Sequence, residues 1–311
     1  MKHGNPQKTA LLLKRLGMFS PRMPTCRVWR AFCEEDFAAA YRLAHDVFVE
    51  RGYMRPDPQG VLVRATDAAP DTATFVCELD GEIVGTITAV KDSEDLGLTS
   101  DEDFQYELNR LRDANRSVCE LTKLAVRDRY VRTNVFTSLC QACYAQAVEW
   151  ECDDIFTAVA HAHTRFFDDI LGFEPLGKAC ERLDEKGAVL QPRRIDLHTI
   201  EDHWKRGHDG TEATAFLYDY FVASNPFPPL LRPWEARTRD AYHDPALLRE
   251  LFVEQSGLMN RCTTRQLEAL HRRWGNRLFS LVYDGPTKSW QRLGLSLVDN
   301  TPPALAAIMS A

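Results

Sequence analysis

The sequence predicts an α/β (α+β) fold in which a mixed central sheet is flanked by helices and followed by a mainly helical C-terminal extension. Three observations predict it. Between Cys26 and His198, short runs rich in β-branched and aromatic residues alternate with longer runs of helical period. Within that span Asp80-Gly81 separates two β-rich runs, a strong hairpin signal because both central residues of a tight turn favour positive φ. Beyond His198 the strand signals stop, and helical stretches surround a proline-rich connector, "NPFPPLLRPW". The organisation that follows is an N-terminal arm (1–25), an α/β domain (26–199) and a helical extension (200–311) that would act as a lid or an interaction region.

In chain order, a strand is expected over 26–32 and a helix over 34–50, whose first turn carries Glu34, Glu35 and Asp36 where carboxylates suit the helix dipole. The loop "RGYMRPDPQGVLVRATDAAPD" is long enough to read as a functional segment. After the hairpin come a helix over 101–113, a strand over 118–126, a helix over 133–151, a strand over 154–160, a helix over 163–171, and strands over 173–183 and 188–198. The extension reads as helices over 200–206, 211–223, 245–256 and 263–274. Apolar residues at three- and four-residue spacing mean that each must bury a face, and docking on the core with a part in acceptor selection is the expectation.

Composition narrows the function. The 311 residues, 44% of them hydrophobic, suffice for one large core or two unequal ones. A net charge of −7 argues against a dedicated nucleic-acid binder, although a local basic patch can still receive an anion. Nine cysteines without the spacing of small secreted domains fit reduced thiols in the cytoplasm. The apolar run near the N-terminus is broken by Lys14 and Arg15 and is too short for a signal peptide or a transmembrane span. That segment reads as a frayed arm, with a basic amphipathic helix making peripheral membrane contact as the alternative.

Metal chemistry is not expected. Cys140-x-x-Cys143 lies inside a helix without a second close pair, and His161-x-His163 lies at a strand end, so structural roles fit better than zinc. A nucleophilic Cys119 or Cys152 would need a neighbouring histidine, which the sequence does not place. Glu120 is more informative. It interrupts an apolar strand, "CELTKLAV", and alternation puts it on one face with Thr122 and Leu124. Burial would raise its pKa and make it a general base, whereas an edge-strand glutamate paired with Lys123 or an arginine is the structural alternative. After the strand, Arg127, Arg129 and Arg132 stand beside the N-terminus of the next helix, which Thr133 or Asn134 can cap. Such a corner would hold a phosphate, or it is simply a solvated charged turn.

The order of elements resembles the acyltransferase superfamily of Gcn5-related N-acetyltransferases (GNAT) from Val28 to Leu197. Five stretches, "YRLAHDVFVERGY", "IVGTITAVKDSEDLGL", "YELNRLR", "CELTKLAV" and "AHAHTRFFDDILGFEPLG", resemble its N-acyl amino acid synthase branch, which is similar in turn to acyl-homoserine-lactone synthases. The resemblance implies a GNAT-like sheet and transfer of a long-chain acyl group from phosphopantetheine to an amine. The donor would be acyl carrier protein, or acyl-coenzyme A, with no tightly bound cofactor. The acceptor would be a small molecule such as a free amino acid, or an amine side chain of a peptide. Glu120 matches the acidic residue of the family's "E-[ILV]-[ST]" strand, with Thr122 and Lys123 in the positions that follow. The basic corner would hold the pantetheine arm or the acidic carrier.

Two departures qualify this. "RDRYVRTN" lacks the glycines of the coenzyme A pyrophosphate loop, which favours the carrier protein. The synthases' "N-P-[RK]-H-x-x-F-Y" becomes "AHAHTRFF", which keeps His163 and Phe166 but places Phe167 where a tyrosine could protonate the leaving thiolate, so the general acid lacks a residue. The expected chemistry is direct aminolysis in a cleft between strands 118–126 and 154–160, with Glu120 as base and a backbone N–H near Leu124 to Val126 meeting the oxyanion. Phe75, Val84, Ile87, Leu121 and Phe136 would line an acyl tunnel unless they only pack the core. An acetyl-coenzyme A acetyltransferase and a catalytically silent ligand-binding regulator are the rival readings.

Overall fold

The computed structural model describes residues 6–20, 26–182, 188–206 and 215–283. The N-terminal arm opens with helix α1 (Pro6–Arg15), and it is not frayed. Ala10, Met18 and Phe19 are buried in the main core, and Phe19 meets Phe216 edge-on at 5.2 Å. Apolar contact at three successive places outweighs the entropy that frees most termini.

Strand β1 (Arg27–Arg30) leads into helix α2 (Glu34–Glu50), and a 3₁₀ turn over Ala65–Ala68 ends the long loop after it. The hairpin forms as its sequence requires, with β2 (Thr72–Leu79) and β3 (Glu82–Lys91) joined through Asp80 (φ 54°) and Gly81 (φ 81°). Helix α3 (Asp101–Asp113), strand β4 (Val118–Val126), helix α4 (Val135–Glu149) and strand β5 (Asp154–Ala160) follow. The helix expected over 163–171 is instead the short α5 (Thr164–Phe166) continued by a π-helical turn over Phe167–Leu171, which Gly172 ends at φ 84°. The strand expected over 173–183 is two fragments, β6 (Glu174–Pro175) and β7 (Cys180–Arg182), and residue 183 lies outside the described residues. Strand β8 (Ala188–Asp196) completes an eight-stranded sheet in the order β1-β2-β3-β4-β5-β8-β6, with β7 also paired to β8. Every pairing is antiparallel except β4 with β5.

The extension contains α6 (Ile200–Arg206), α7 (Phe216–Tyr218) with a π-helical turn over Asp219–Ala223, α8 (Pro228–Ala241), α9 (Pro245–Arg249) with a π-helical turn over Glu250–Gln255, α10 (Leu258–Arg261) and α11 (Thr264–Val282). Residues 211–214 of the helix expected over 211–223 lie outside the described residues. The proline-rich connector turns out to be the start of α8. Pro228 and Pro229 occupy its first positions, where a missing N–H breaks no helical bond, and Pro233 falls one turn later. Helix α11 runs past Trp274, with a kink at Gly275 where φ is 74°, beyond the span its periodicity suggested.

The extension packs on both faces of the sheet. In β2, Ala73, Phe75 and Cys77 point into a cluster with α4, and Leu217, Tyr220, Phe221, Phe227 and Leu231 join it. The alternate residue Val76 points the other way, into a cluster of Phe37 and Tyr41 from α2 with Tyr242, Phe252, Trp274 and Phe279. Gly85 lets α4 lie close on β3, since a Cβ there would stand 2.6 Å from Val135 Cγ1. Among the described residues, no helix is long and apolar enough to cross a membrane.

Candidate active site

The site is built by a failure of pairing. Strands β4 and β5 are in register at Val118, Cys119 and Glu120, and their pairing ends at Glu120 opposite Phe156, although both strands continue. The cause lies on the other edge of β4. Thr86 pairs with Ala125 and Thr88 with Thr122, so Lys123 and Leu124 together face Ile87. This bulge bends β4 away from β5, and Lys123 takes the left-handed φ of 52° that it needs. Thr157 Oγ1 donates to Leu121 O at 2.9 Å across the fork. Beyond it the strand edges part around a cleft of about 220 Å³.

Glu120 stands at the apex of the fork, 1% exposed and lining that cleft. Its carboxylate accepts from Thr99 N at 2.6 Å, Ser100 N at 3.3 Å and Ser100 Oγ at 2.6 Å. Burial raises its pKa to about 7, against these hydrogen bonds and with a small push from Asp101. Lys123 is not its counter-ion. The Lys123 ammonium forms a buried ion pair with Asp67 and lies 5.4 Å from the Tyr41 ring centroid; burial lowers its pKa. Asp67 also closes its own turn by accepting from Arg64 N at 2.7 Å. The pair thus locks the bulge to the 65–68 turn, and the extension holds that turn: Tyr242 donates to Asp67 O and Trp274 Nε1 to Ala68 O. Lys123 lines the cleft wall in a left-handed backbone.

Thr122, Leu124, Val126 and His163 line the same cleft. His163 is exposed at its mouth, with Nε2 2.9 Å from Tyr53 Oη, and desolvation with the nearby Arg51 charge lowers its pKa. Arg51 also donates to Val126 O at 3.1 Å and to Asp128 Oδ1 at 3.0 Å, pinning the end of β4 to α2.

The basic corner borders this cleft through Val131, but its arginines do not line it. Arg127 lies 3.2 Å from Glu82, and Arg129 ion-pairs with the same carboxylate, while Arg132 is exposed. Thr133 Oγ1 accepts from Val135 N at 3.3 Å, at the helix start. Asn134, expected to present a cap, is 4% exposed and spends its amide on Ser20 O of the N-terminal arm at 3.3 Å. Thr137 likewise donates to Met18 O, so the arm covers part of the anion site expected there. Phe166 packs edge-on against Phe136 at 5.2 Å, behind the lining.

A second, apolar pocket of about 30 Å³ adjoins the cleft and shares Leu121, Leu124, Thr157 and Phe167 with it. Of the residues expected to form a tunnel, Ile87 and Leu121 line this pocket and Phe136 the cleft, whereas Phe75 and Val84 are core. Its far wall was not foreseen: Trp204 and Phe221 come from the extension, stacked at 5.0 Å. Cys140 lines this pocket and Cys143 is buried beside it, both thiols raised by burial, and His161 Nδ1 meets Gln191 Nε2 at 2.8 Å. A hydrogen bond with Cys152, and then burial, raise the Cys119 thiol, away from nucleophilic use.

Sequence reasoning missed Asp67, Thr99, Ser100 and Tyr53. Asp67 lies in a short 3₁₀ turn and the others in loops, where no period marks a residue as buried.

Residues 39–191 match the family profile described as N-acyl amino acid synthase FeeM. The structure is similar to that of FeeM, an N-acyl amino acid synthase from uncultured soil microbes, with a TM-score of 0.51 and 19% identity, over 58% of this chain and 95% of that one. BjaI, a CoA-dependent acyl-homoserine lactone synthase, matches with a TM-score of 0.42 and 19% identity over 62% of this chain and 97% of its own. The acyl-homoserine-lactone synthase LasI matches with a TM-score of 0.43 and 14% identity over 56% and 92%. No curated protein sequence matches the chain.

Proposed function

We propose that this acyltransferase, whose residues 39–191 are of the N-acyl amino acid synthase kind within the GNAT fold, moves a long-chain fatty acyl group from acyl carrier protein to an amine. The observation that carries the reading is the fork at Glu120, which puts a buried carboxylate with a pKa of about 7 between two strand edges and beside an apolar pocket.

The extended pantetheine arm fits along the unpaired edges of β4 and β5, whose N–H and C=O groups would bond it as a strand would. Its thioester then lies at the fork. A neutral amine attacks the carbonyl, and the developing oxyanion is met by a cleft-facing N–H between Leu124 and Val126, held still by the bulge. Glu120 takes the amine proton directly or through one water, a task suited to a base that titrates near neutrality. The acyl chain goes into the apolar pocket. That space is small, about 30 Å³, so a long chain must swing Phe167 or Phe221 aside. The corner lacks the glycines of a pyrophosphate loop, and the arm sits against Asn134, which supports a carrier protein over coenzyme A. Such a donor places the reaction in the cytoplasm. A free amino acid or a peptide amine side chain is the acceptor.

The test is to incubate the purified protein with acyl carrier protein and coenzyme A thioesters of acetyl to long-chain length and a panel of amines, reading products by mass spectrometry. N-acyl products from long-chain carrier thioesters are expected. Acetyl-coenzyme A as the best donor, or no amide at all, overturns the reading.

A further inference from the structure

We infer that Tyr53 is the general acid of the transfer and that His163 positions it. The inference rests on the aminolysis reading above. When the tetrahedral adduct collapses, the leaving sulfur needs a proton, and the position where a tyrosine could supply it carries the Phe167 ring, packed 5.2 Å from Phe173. Glu120 is engaged in gaining the amine proton. The Lys123 ammonium is locked on Asp67, and a guanidinium such as Arg51 does not release its proton. Among the described residues that line the cleft, the hydroxyl groups are those of Tyr53, Thr99, Ser100, Thr122 and Thr157. Ser100 donates to Glu120 and Thr157 to Leu121 O, while Thr99 Oγ1 pairs with Thr66 Oγ1 at 3.2 Å. Aliphatic hydroxyls are in any case far weaker acids than a phenol, whose pKa of about 10 lies close to that of an alkyl thiol.

The structure holds Tyr53 for this task. Its N–H donates to Phe48 O at 2.8 Å, its ring meets Phe48 edge-on at 5.9 Å, and its oxygen meets His163 Nε2 at 2.9 Å across the cleft mouth. With the ring proton on Nε2, His163 donates to the phenol oxygen and leaves the phenol's own proton free to face the cleft. The C–S bond then breaks, its electron pair goes to sulfur, and sulfur takes the Tyr53 proton. The phenolate keeps the Nε2–H bond and regains a proton from solvent as Glu120 returns one. Thioester plus amine gives amide plus thiol, and the protons balance.

The test compares two donors with the same acyl chain: the pantetheine thioester, and an aryl thioester whose far more acidic thiol leaves without a proton. Tyr53→Phe is expected to lower kcat/KM by about 10²-fold or more with the first donor and by less than about threefold with the second. His163→Gln should follow the same pattern more weakly, and Glu120→Gln should impair both donors. An equal loss with both donors, or none with either, overturns the role of Tyr53 while leaving acyl transfer standing. No amide from wild-type protein with any donor overturns both.

Discussion

At the scale of single residues, Glu120 and Lys123 show how one strand carries two buried charges with different purposes. Glu120→Gln should lower acyl transfer by roughly 10²- to 10⁴-fold and abolish the rise of kcat/KM through pH about 7 that a base of this pKa imposes. Stability reports on the same group. Its folded pKa of about 7 stands above its ordinary 4.5, so the folded state binds the extra proton in between, and stability falls as pH rises across that window. Glu120→Gln lacks this fall. The advantage of wild type over the variant in urea unfolding should therefore shrink by up to about 3 kcal/mol between pH 4.5 and pH 8. Asp67→Ala leaves Lys123 buried and unpaired, and a loss of about 3–5 kcal/mol by the same measurement is expected. Of these residues only Glu120 was legible in the sequence, because period-two alternation makes a carboxylate in an apolar strand conspicuous. Asp67, Ser100 and Tyr53 reach the site from loops and turns, and their neighbours in space are set by tertiary packing that no local pattern encodes. Lys123 was singled out by its place in the motif after Glu120, with pairing to Glu120 as the structural alternative, whereas its partner lies 56 positions away, where no local pattern points.

At the scale of elements, the strands and helices that carry their own periodicity were legible from β1 to β5, and those fixed by neighbours were not. The short α5, its π-helical turn and the β6 and β7 fragments follow a β8 edge that offers only brief pairing. Helix α8 was hidden because three prolines normally signal a connector. Two predictions belong here. Phe221→Ala, which opens the wall that α7's turn gives the apolar pocket, should favour longer acyl donors, at about 0.8 kcal/mol or roughly fourfold in kcat/KM for each methylene newly buried. A series of donors of increasing length checks it. At the basic corner Arg127 and Arg129 face Glu82, so the exposed Arg132 carries the outward charge. Arg132→Glu should raise KM for a carrier-protein donor more than for a short pantetheine thioester, and the gap should close at high salt.

At the scale of the whole molecule, the extension is bound to the α/β domain at both faces and reaches the site by two routes. Trp204 and Phe221 wall the pocket, and Tyr242 and Trp274 hold the turn that presents Asp67 to Lys123. A chain ended after His198 should therefore precipitate or unfold rather than work as a smaller enzyme, which soluble yield and circular dichroism would show. These ties have a consequence in time. Thr238 donates to Ala31 O across 207 positions, and Trp274 to Ala68 O across 206, so early strands wait for late helices. At roughly 5–20 residues per second, synthesis of residues 200–283 takes on the order of 4 to 17 s. During that interval the nascent chain already contains every cleft residue yet bears a naked apolar face on α2, without the props that hold Asp67 to the bulge. Activity should therefore begin only once Val282 has left the ribosome.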